Sequence, residues 1–378
     1  MRRRRFRAVV GSASVVLTLG TLVAIAPAQA VPRVASASEF DAPSGLAIGE
    51  GHLWVTNEAG DSVTEINPSN GDWVRTFTRA KGYRFSQPVA ITRNQAELFV
   101  ANAGGSVTEM AAYNGKLLRV IQGSRFHFSD PVAIASSGNM LLVLNGGTSK
   151  PGSITEINAR TGALVRVISG SSYAFADPVA MTASGSDVFV ADESVNSVTE
   201  VDATTGALVR VVAGQGLDAP DGIAVQSGNV WVADSASNAA TEINASTGVA
   251  ISTYSDAGGP YGFGDPSDVI GVQGNVYVMT PFGDSPMVTK VDATTGAPAW
   301  YMCNTNGPYY FSLLSAFAVS GDDLWVASRS GANSQTPGAA TGSLTEMLIT
   351  TGALLATVPA PSTSATTTTT TSTTTTLP

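Results

Sequence analysis

From residue 40 to residue 358 the apolar positions fall in short runs of Val, Ile, Leu, Phe and Trp, punctuated by Gly, Asn, Asp, Ser and Thr. No run keeps the i, i+3, i+4, i+7 spacing of an amphipathic helix, so the pattern predicts strands bounded by turns. The runs also recur. PSGLAIGEGHLWVTN starts at Pro43, PVAITRNQAELFVAN at Pro88, PVAIASSGNMLLVLN at Pro131 and PVAMTASGSDVFVAD at Pro178. PDGIAVQSGNVWVAD starts at Pro220 and PSDVIGVQGNVYVMT at Pro266, while a seventh copy puts Leu314 where the proline belongs. Start-to-start spacings are 45, 43, 47, 42, 46 and 48 residues.

Each copy then continues alike. A Val-Thr-Glu-Ile segment or a near version follows the second strand, as at Val63 to Ile66 or Val198 to Val201. A turn ending in glycine comes next (Gly71, Gly115, Gly162, Gly206, Gly248, Gly296, Gly352), where positive φ suits a residue without Cβ. A fourth apolar strand closes the unit. Four short strands cannot bury both faces alone, but seven such units set radially cover one another. A β-helix would have shorter coils, and a sandwich of 28 strands is too large for one domain. The expected fold is all-β, a seven-bladed β-propeller over residues 40–358, closing with little or no strand exchange. The faint echo of Arg119-Val120 in Arg33-Val34 suggests that Val31 to Ala35 adds to the outer edge of the last blade.

The copies resemble the NHL and YncE-like propeller repeats, with Pro220 to Asp234 matching their pattern best. Within that superfamily they also look like the streptogramin-lyase-type propellers. The resemblance implies the fold. It is weak for function, because one fold hosts enzymes, sensors and scaffolds.

Several periodic features carry candidate chemistry. A large apolar residue precedes each start by three (Phe40, Phe85, Phe128, Phe175, Leu217, Phe263, Phe311), and a second aromatic often lies two residues earlier (Tyr83, Phe126, Tyr173, Tyr261, Tyr309). These rings either plug the seams between blades or offer surfaces to sugars and peptides. Glu65/Arg75, Glu109/Arg119, Glu156/Arg166 and Glu200/Arg210 are spaced as cross-strand ion pairs on the outer strands.

Every second strand ends on a short polar residue: Asn57, Asn102, Asn145, Asp192, Asp234, Thr280 and Ser328. Asp130, Asp177 and Asp265 stand just before repeat prolines, and Asp221 and Asp268 just after. Such a ring at one mouth of the channel has the oxygens to hold Ca²⁺ or Mg²⁺ or to grip a polar ligand. The same residue types also cap turns. Loops on this face are uneven: the seventh runs from Arg329 to Ser343, and Gly146 to Ser153 and Pro281 to Pro286 are also enlarged.

Composition narrows the classes further. The net charge is −9, and five of the 20 basic side chains crowd at Arg2, Arg3, Arg4, Arg5 and Arg7. Residues 1–30 read as a signal peptide, with an apolar stretch and an Ala28-Gln29-Ala30 cleavage site, on a Sec or twin-arginine route. The remainder is acidic enough to make nucleic acid and anionic lipid poor partners, and no other segment is long and apolar enough to span a bilayer. One cysteine, Cys303, gives no intrachain disulfide, and two histidines in unmatched contexts, His52 and His127, give no catalytic pair. Residues 31–39 lead into the propeller, and residues 359–378 form a Thr/Ser/Pro-rich tail with too little apolar surface to fold. The expectation is therefore a monomeric, secreted or cell-surface, non-catalytic scaffold that presents one loop face to a protein or glycan and needs no cofactor. The alternative is a metal-dependent lyase or hydrolase with its site at the channel mouth.

Overall fold

The computed structural model describes residues 40–146, 151–255, 261–281, 286–303, 311–329 and 342–359. They form seven four-stranded antiparallel sheets, each a meander of four consecutive strands. Blade 1 comprises Pro43–Gly49, His52–Asn57, Ser62–Asn67 and Asp72–Thr78, and blades 2 to 7 repeat this order from Pro88, Pro131, Pro178, Pro220, Asp268 and Leu314. The seventh sheet uses only its own strands (Leu314–Ser320, Asp323–Ser328, Ser343–Leu348, Leu354–Pro359), so no described strand is exchanged between the chain ends. Residues 31–35, the suggested addition to its edge, lie outside the described residues, as do the signal segment and the tail.

The core lies in the seams. The seam closing the ring packs Phe40, Leu46, Leu53, Val55 and Ile66 of the first repeat against Ala316, Trp325, Leu344 and Val358 of the last. Ser315 Oγ completes it by donating to the Pro43 carbonyl at 2.7 Å, as Ser44 Oγ donates to the Pro88 carbonyl between blades 1 and 2. Six of the seven residues in the inner apolar row are buried; Phe128 is half-buried. The outer row makes brackets. Tyr83, Tyr173 and Tyr261 donate to the carbonyls of Gly115, Gly206 and Gly296 at 2.8–3.0 Å. Gln215, standing two residues before Leu217, donates to Gly248 in the same way at 3.2 Å.

The Val-Thr-Glu-Ile segment is explained residue by residue. Val and Ile fill seams. The Thr hydroxyl is buried and, in blades 2, 3, 4 and 6, donates to the connector carbonyl at Tyr83, Phe126, Tyr173 or Tyr261. The Glu carboxylate is buried and meets its strand-four arginine at 2.9, 2.6, 2.9 and 2.7 Å in blades 1 to 4. These arginines also cross the seam: Arg75, Arg119 and Arg166 donate to the carbonyls of Asn114, Arg160 and Thr204 in the next blade's outer turn.

The turn glycines meet two demands at once. All seven have φ between 67° and 74°. Each also touches the fourth strand of the preceding blade: a Cβ on Gly115 would lie 2.1 Å from Phe77 Cζ, and one on Gly71 would lie 3.0 Å from Val358 Cγ2 across the ring closure.

Candidate functional site

The polar residues that end the second strands are buried, and most are turned toward the connector of their own blade. Asn102 and Asn145 accept from the N–H groups of Ser86 and Ser129 at 3.3 and 3.2 Å, while their amides donate to Thr108 and Thr155. Asn57 donates to Ser62 and Thr64. Asp192 accepts from four donors: the N–H groups of Ala176, Asp177 and Val195 and the Ser194 hydroxyl. Asp234 accepts from the Asp218 N–H at 3.2 Å, and its Oδ2 is buried without a hydrogen-bond partner. Burial pushes the Asp192 carboxyl up, against its four donors, and pushes Asp234 up to about 7. The connector amides they hold lie some sixteen residues upstream, which no local turn rule would name.

The residue after each of these positions makes a second bracket. The N–H groups of Glu58, Ala103, Gly146, Glu193, Ser235 and Arg329 donate to the carbonyls of Ala42, Gln87, Asp130, Asp177, Ala219 and Leu313 at 2.9–3.1 Å. Blade 6 breaks the rule because Pro281 has no N–H to give. Its first strand pairs only from Asp268, where the other blades pair from the repeat proline or Leu314, and the Ser267 N–H donates to Met279 instead.

The first strands surround a central cavity of about 840 Å³. Leu46, Ile91, Ile134, Met181, Ile223, Val269 and Phe317 border it, each with its side chain packed into a seam, and Pro281, Leu313 and Arg329 place its mouth on the face that carries the connectors. Leu313 is exposed and has φ of 49°, an unfavourable conformation for a residue with a Cβ.

Two carboxylates enter this cavity, Asp221 and Asp268. Burial, then the charges of Glu193 and Asp265, push Asp221 up to about 6. Burial, then the charge of Asp221, push Asp268 up to about 7. A Cβ on Gly222 would lie 2.5 Å from Asp268 Cα, so the strands carrying the two acids are in close contact. Arg329, which follows the second strand of blade 7, also lines the cavity, with its guanidinium paired to Glu58 of blade 1.

Of the sequence candidates, Arg329, Asp221 and Asp268 line the cavity; Asp265 is exposed, Asp177 is half-buried and Asp130 is exposed at φ of 52°. Asp221 and Asp268 were legible only as acids near the repeat prolines. The sharper signal is that Asp268 replaces a residue that is Gly or Ala in every other copy (Gly45, Ala90, Ala133, Ala180, Gly222, Ala316).

The histidines lie elsewhere. His52 Nδ1 is 3.0 Å from Glu65 Oε1 at the start of a second strand, and His127 is exposed in a connector. Cys303 is buried at the end of a fourth strand. Among the described residues no three of His, Cys, Asp and Glu converge as a metal cage, and no helix is long and apolar enough to cross a membrane. The enlarged loops fall mostly outside the described residues, at 147–150, 282–285 and 330–341.

No family model and no curated protein matches the chain. Solved structures do match. The computationally designed Ika8 protein aligns with a TM-score of 0.61 and 17% identity, over 86% of this chain and 89% of that one. Streptogramin B lyase aligns with a TM-score of 0.60 and 15% identity, over 76% of this chain and 91% of that one. Likenesses this distant show the fold, a β-propeller, and nothing of the activity.

Proposed function

We propose that this chain is an exported, non-catalytic binding propeller of the NHL and YncE-like kind. It takes its protein or glycan partner on the connector face, with the central cavity as the anchoring point. The observation that supports this is the cavity itself, open on the connector face and bordered by both apolar residues and polar groups, among them Asp221, Asp268 and Arg329. Export rests on the composition of residues 1–30, and a solvated stalk on that of residues 359–378.

The test is a thermal-shift screen of the chain from Val31 onward against peptides and oligosaccharides, repeated on the Arg329→Ala and Asp268→Asn variants. Stabilisation by one class, lost in either variant, is the expected result. A full panel that leaves wild type unmoved overturns the reading.

The raised carboxylates in the cavity favour one second reading, a metal-dependent lyase or hydrolase. Titration calorimetry with Ca²⁺ and Mg²⁺ separates the two, using Asp192→Ala with Asp234→Ala for the strand-end ring and Asp221→Asn with Asp268→Asn for the cavity. Tight binding lost in either pair supports the metal site.

A further inference from the structure

Charge is distributed unevenly around the ring. Residues 40–170, covering blades 1 to 3, hold 10 acidic and 11 basic side chains, whereas residues 171–328 hold 17 acidic and only two basic ones. Those two are engaged on the rim: Arg210 pairs with Glu200, and Lys290 is buried and donates to the Ile349 carbonyl. On the connector face of blades 4 to 6, Glu193, Asp218 and Asp265 are exposed.

The adjoining cavity wall is short of hydrogen-bond donors. Among the described residues, no donor reaches the Asp221 carboxylate. The Asp265 carbonyl also has none, because Pro281 removed the N–H that caps its counterparts. Asp268 accepts only from the N–H of its own neighbour, Val269, at 2.8 Å. The wall therefore offers acceptors in excess, and Arg329 of blade 7, the one cation among the described residues that line the cavity, is paired with Glu58. Val132, Val179 and Met181 are half-buried and line the same cavity, leaving some apolar surface for a methylene stem.

We infer that the cavity receives a lysine or arginine side chain of a basic peptide segment, its cationic head between Asp221 and Asp268 and the rest of the segment along the acidic arc of blades 4 to 6. This rests on the reading of the cavity as a ligand site and names the chemistry of its ligand. A cationic side chain supplies the missing donors, offsets the charge that Asp221 places beside Asp268, and lays its stem on the apolar part of the lining. An inorganic cation fits less well, because among the described residues no three of His, Cys, Asp and Glu converge. The imbalance of charge speeds encounter with such a segment and disfavours a second copy of this acidic chain.

The test uses the chain from Val31 onward and three fluorescent nonapeptides: one alternating Gly with Arg and Lys, one alternating Gly with Glu, and one of Gly and Ser. Binding is read by anisotropy at low and physiological salt, and every variant is first checked by thermal melting. The basic peptide alone is expected to bind, and Asp221→Asn with Asp268→Asn to weaken it by on the order of tenfold or more. Asp187→Asn with Asp322→Asn removes the same charge from the opposite face and should leave binding within about twofold. Equal weakening by both pairs means diffuse attraction and overturns the inference. Binding of the acidic or neutral peptide instead, or of Ca²⁺ or Mg²⁺ lost with Asp221→Asn and Asp268→Asn, overturns it while sparing the cavity as a ligand site. No binding by any of these probes overturns it too, and the fate of the cavity reading then lies with the wider screen above.

Discussion

Lys290 of blade 6 donates to the carbonyl of Ile349 in blade 7 at 3.1 Å, taking over a task that two residues of opposite charge share in blades 1 to 3. There a buried Glu holds an Arg, and the Arg reaches the neighbouring turn. Here one long cation does both, its Nζ 5.9 Å from the ring centres of Tyr277 and Trp300.

Replacing Lys290 by Met keeps the stem and removes the donor. The expected cost is about 1–3 kcal/mol, the range for a hydrogen bond from a charged group. Lys290→Glu should cost more, because it buries a carboxylate facing a carbonyl oxygen. Urea unfolding followed by tryptophan fluorescence checks both values.

Two glycines separate backbone strain from crowding. Gly51 has φ of 79° and open space around its missing Cβ, so Gly51→Ala should cost only about 1 kcal/mol. Gly115 has φ of 67° and Phe77 within 2.1 Å of the added atom, so Gly115→Ala should cost roughly 2–4 kcal/mol. Equal costs in a denaturant titration would show that the belt of outer turns does not press on the fourth strands.

Pro281→Ala returns an N–H to the one blade that lacks it. The amide should bond to the Asp265 carbonyl and exchange slowly with deuterium, as the equivalent amides of blades 5 and 7 should already do. By capping an acceptor at the cavity mouth, the change should also weaken the basic peptide. A fast-exchanging amide at residue 281 would show that proline is not the cause of the late pairing in blade 6.

The pH dependence follows from the direction of the shifts. Glu156, Asp234 and Asp268 are each pushed to about 7, and Asp221 to about 6, by burial. A carboxyl with a raised folded pKa takes up a proton on folding, so its contribution declines as pH rises from about 4 through the folded value. These groups make the melting temperature higher near about pH 5 than near about pH 8, the reverse of ordinary acid denaturation. Protonation at the low end should also release the basic peptide. Asn at position 234 should flatten the melting profile, and Asn at positions 221 and 268 should flatten both.

The blades, the turn glycines and the Glu/Arg pairs were legible because each is a local pattern repeated with a period. Val, Thr, Glu and Ile differ in size and polarity, and alternation alone assigns them to opposite faces of a strand. What could not be read was any contact between copies. That Asn102 holds an amide at Ser86, or that Tyr83 seeks the carbonyl of Gly115, depends on how a connector folds back over the following blade. The cavity acids were legible only as departures: a carboxylate where the repeat has Gly or Ala, and a proline where it has a donor. Periodicity reports the scaffold, and its exceptions mark where the scaffold has been altered.

Because every sheet of the described residues is assembled from its own four consecutive strands, no ladder of strands among them latches the first repeat to the last. Closure rests on side-chain contacts, among them Ser315 on Pro43, Arg329 on Glu58 and Val358 on Gly71, and on the bond from the Gly342 N–H to the Phe40 carbonyl at 2.9 Å, whose counterpart at another seam runs from Gly152 to Phe175. The chain therefore has no privileged starting point. New termini cut at another connector, with the old ones spliced, should give a circular permutant of unchanged architecture. Gain or loss of a whole unit by duplication or deletion would require no strand to find a new partner sheet, only a wider or narrower circle.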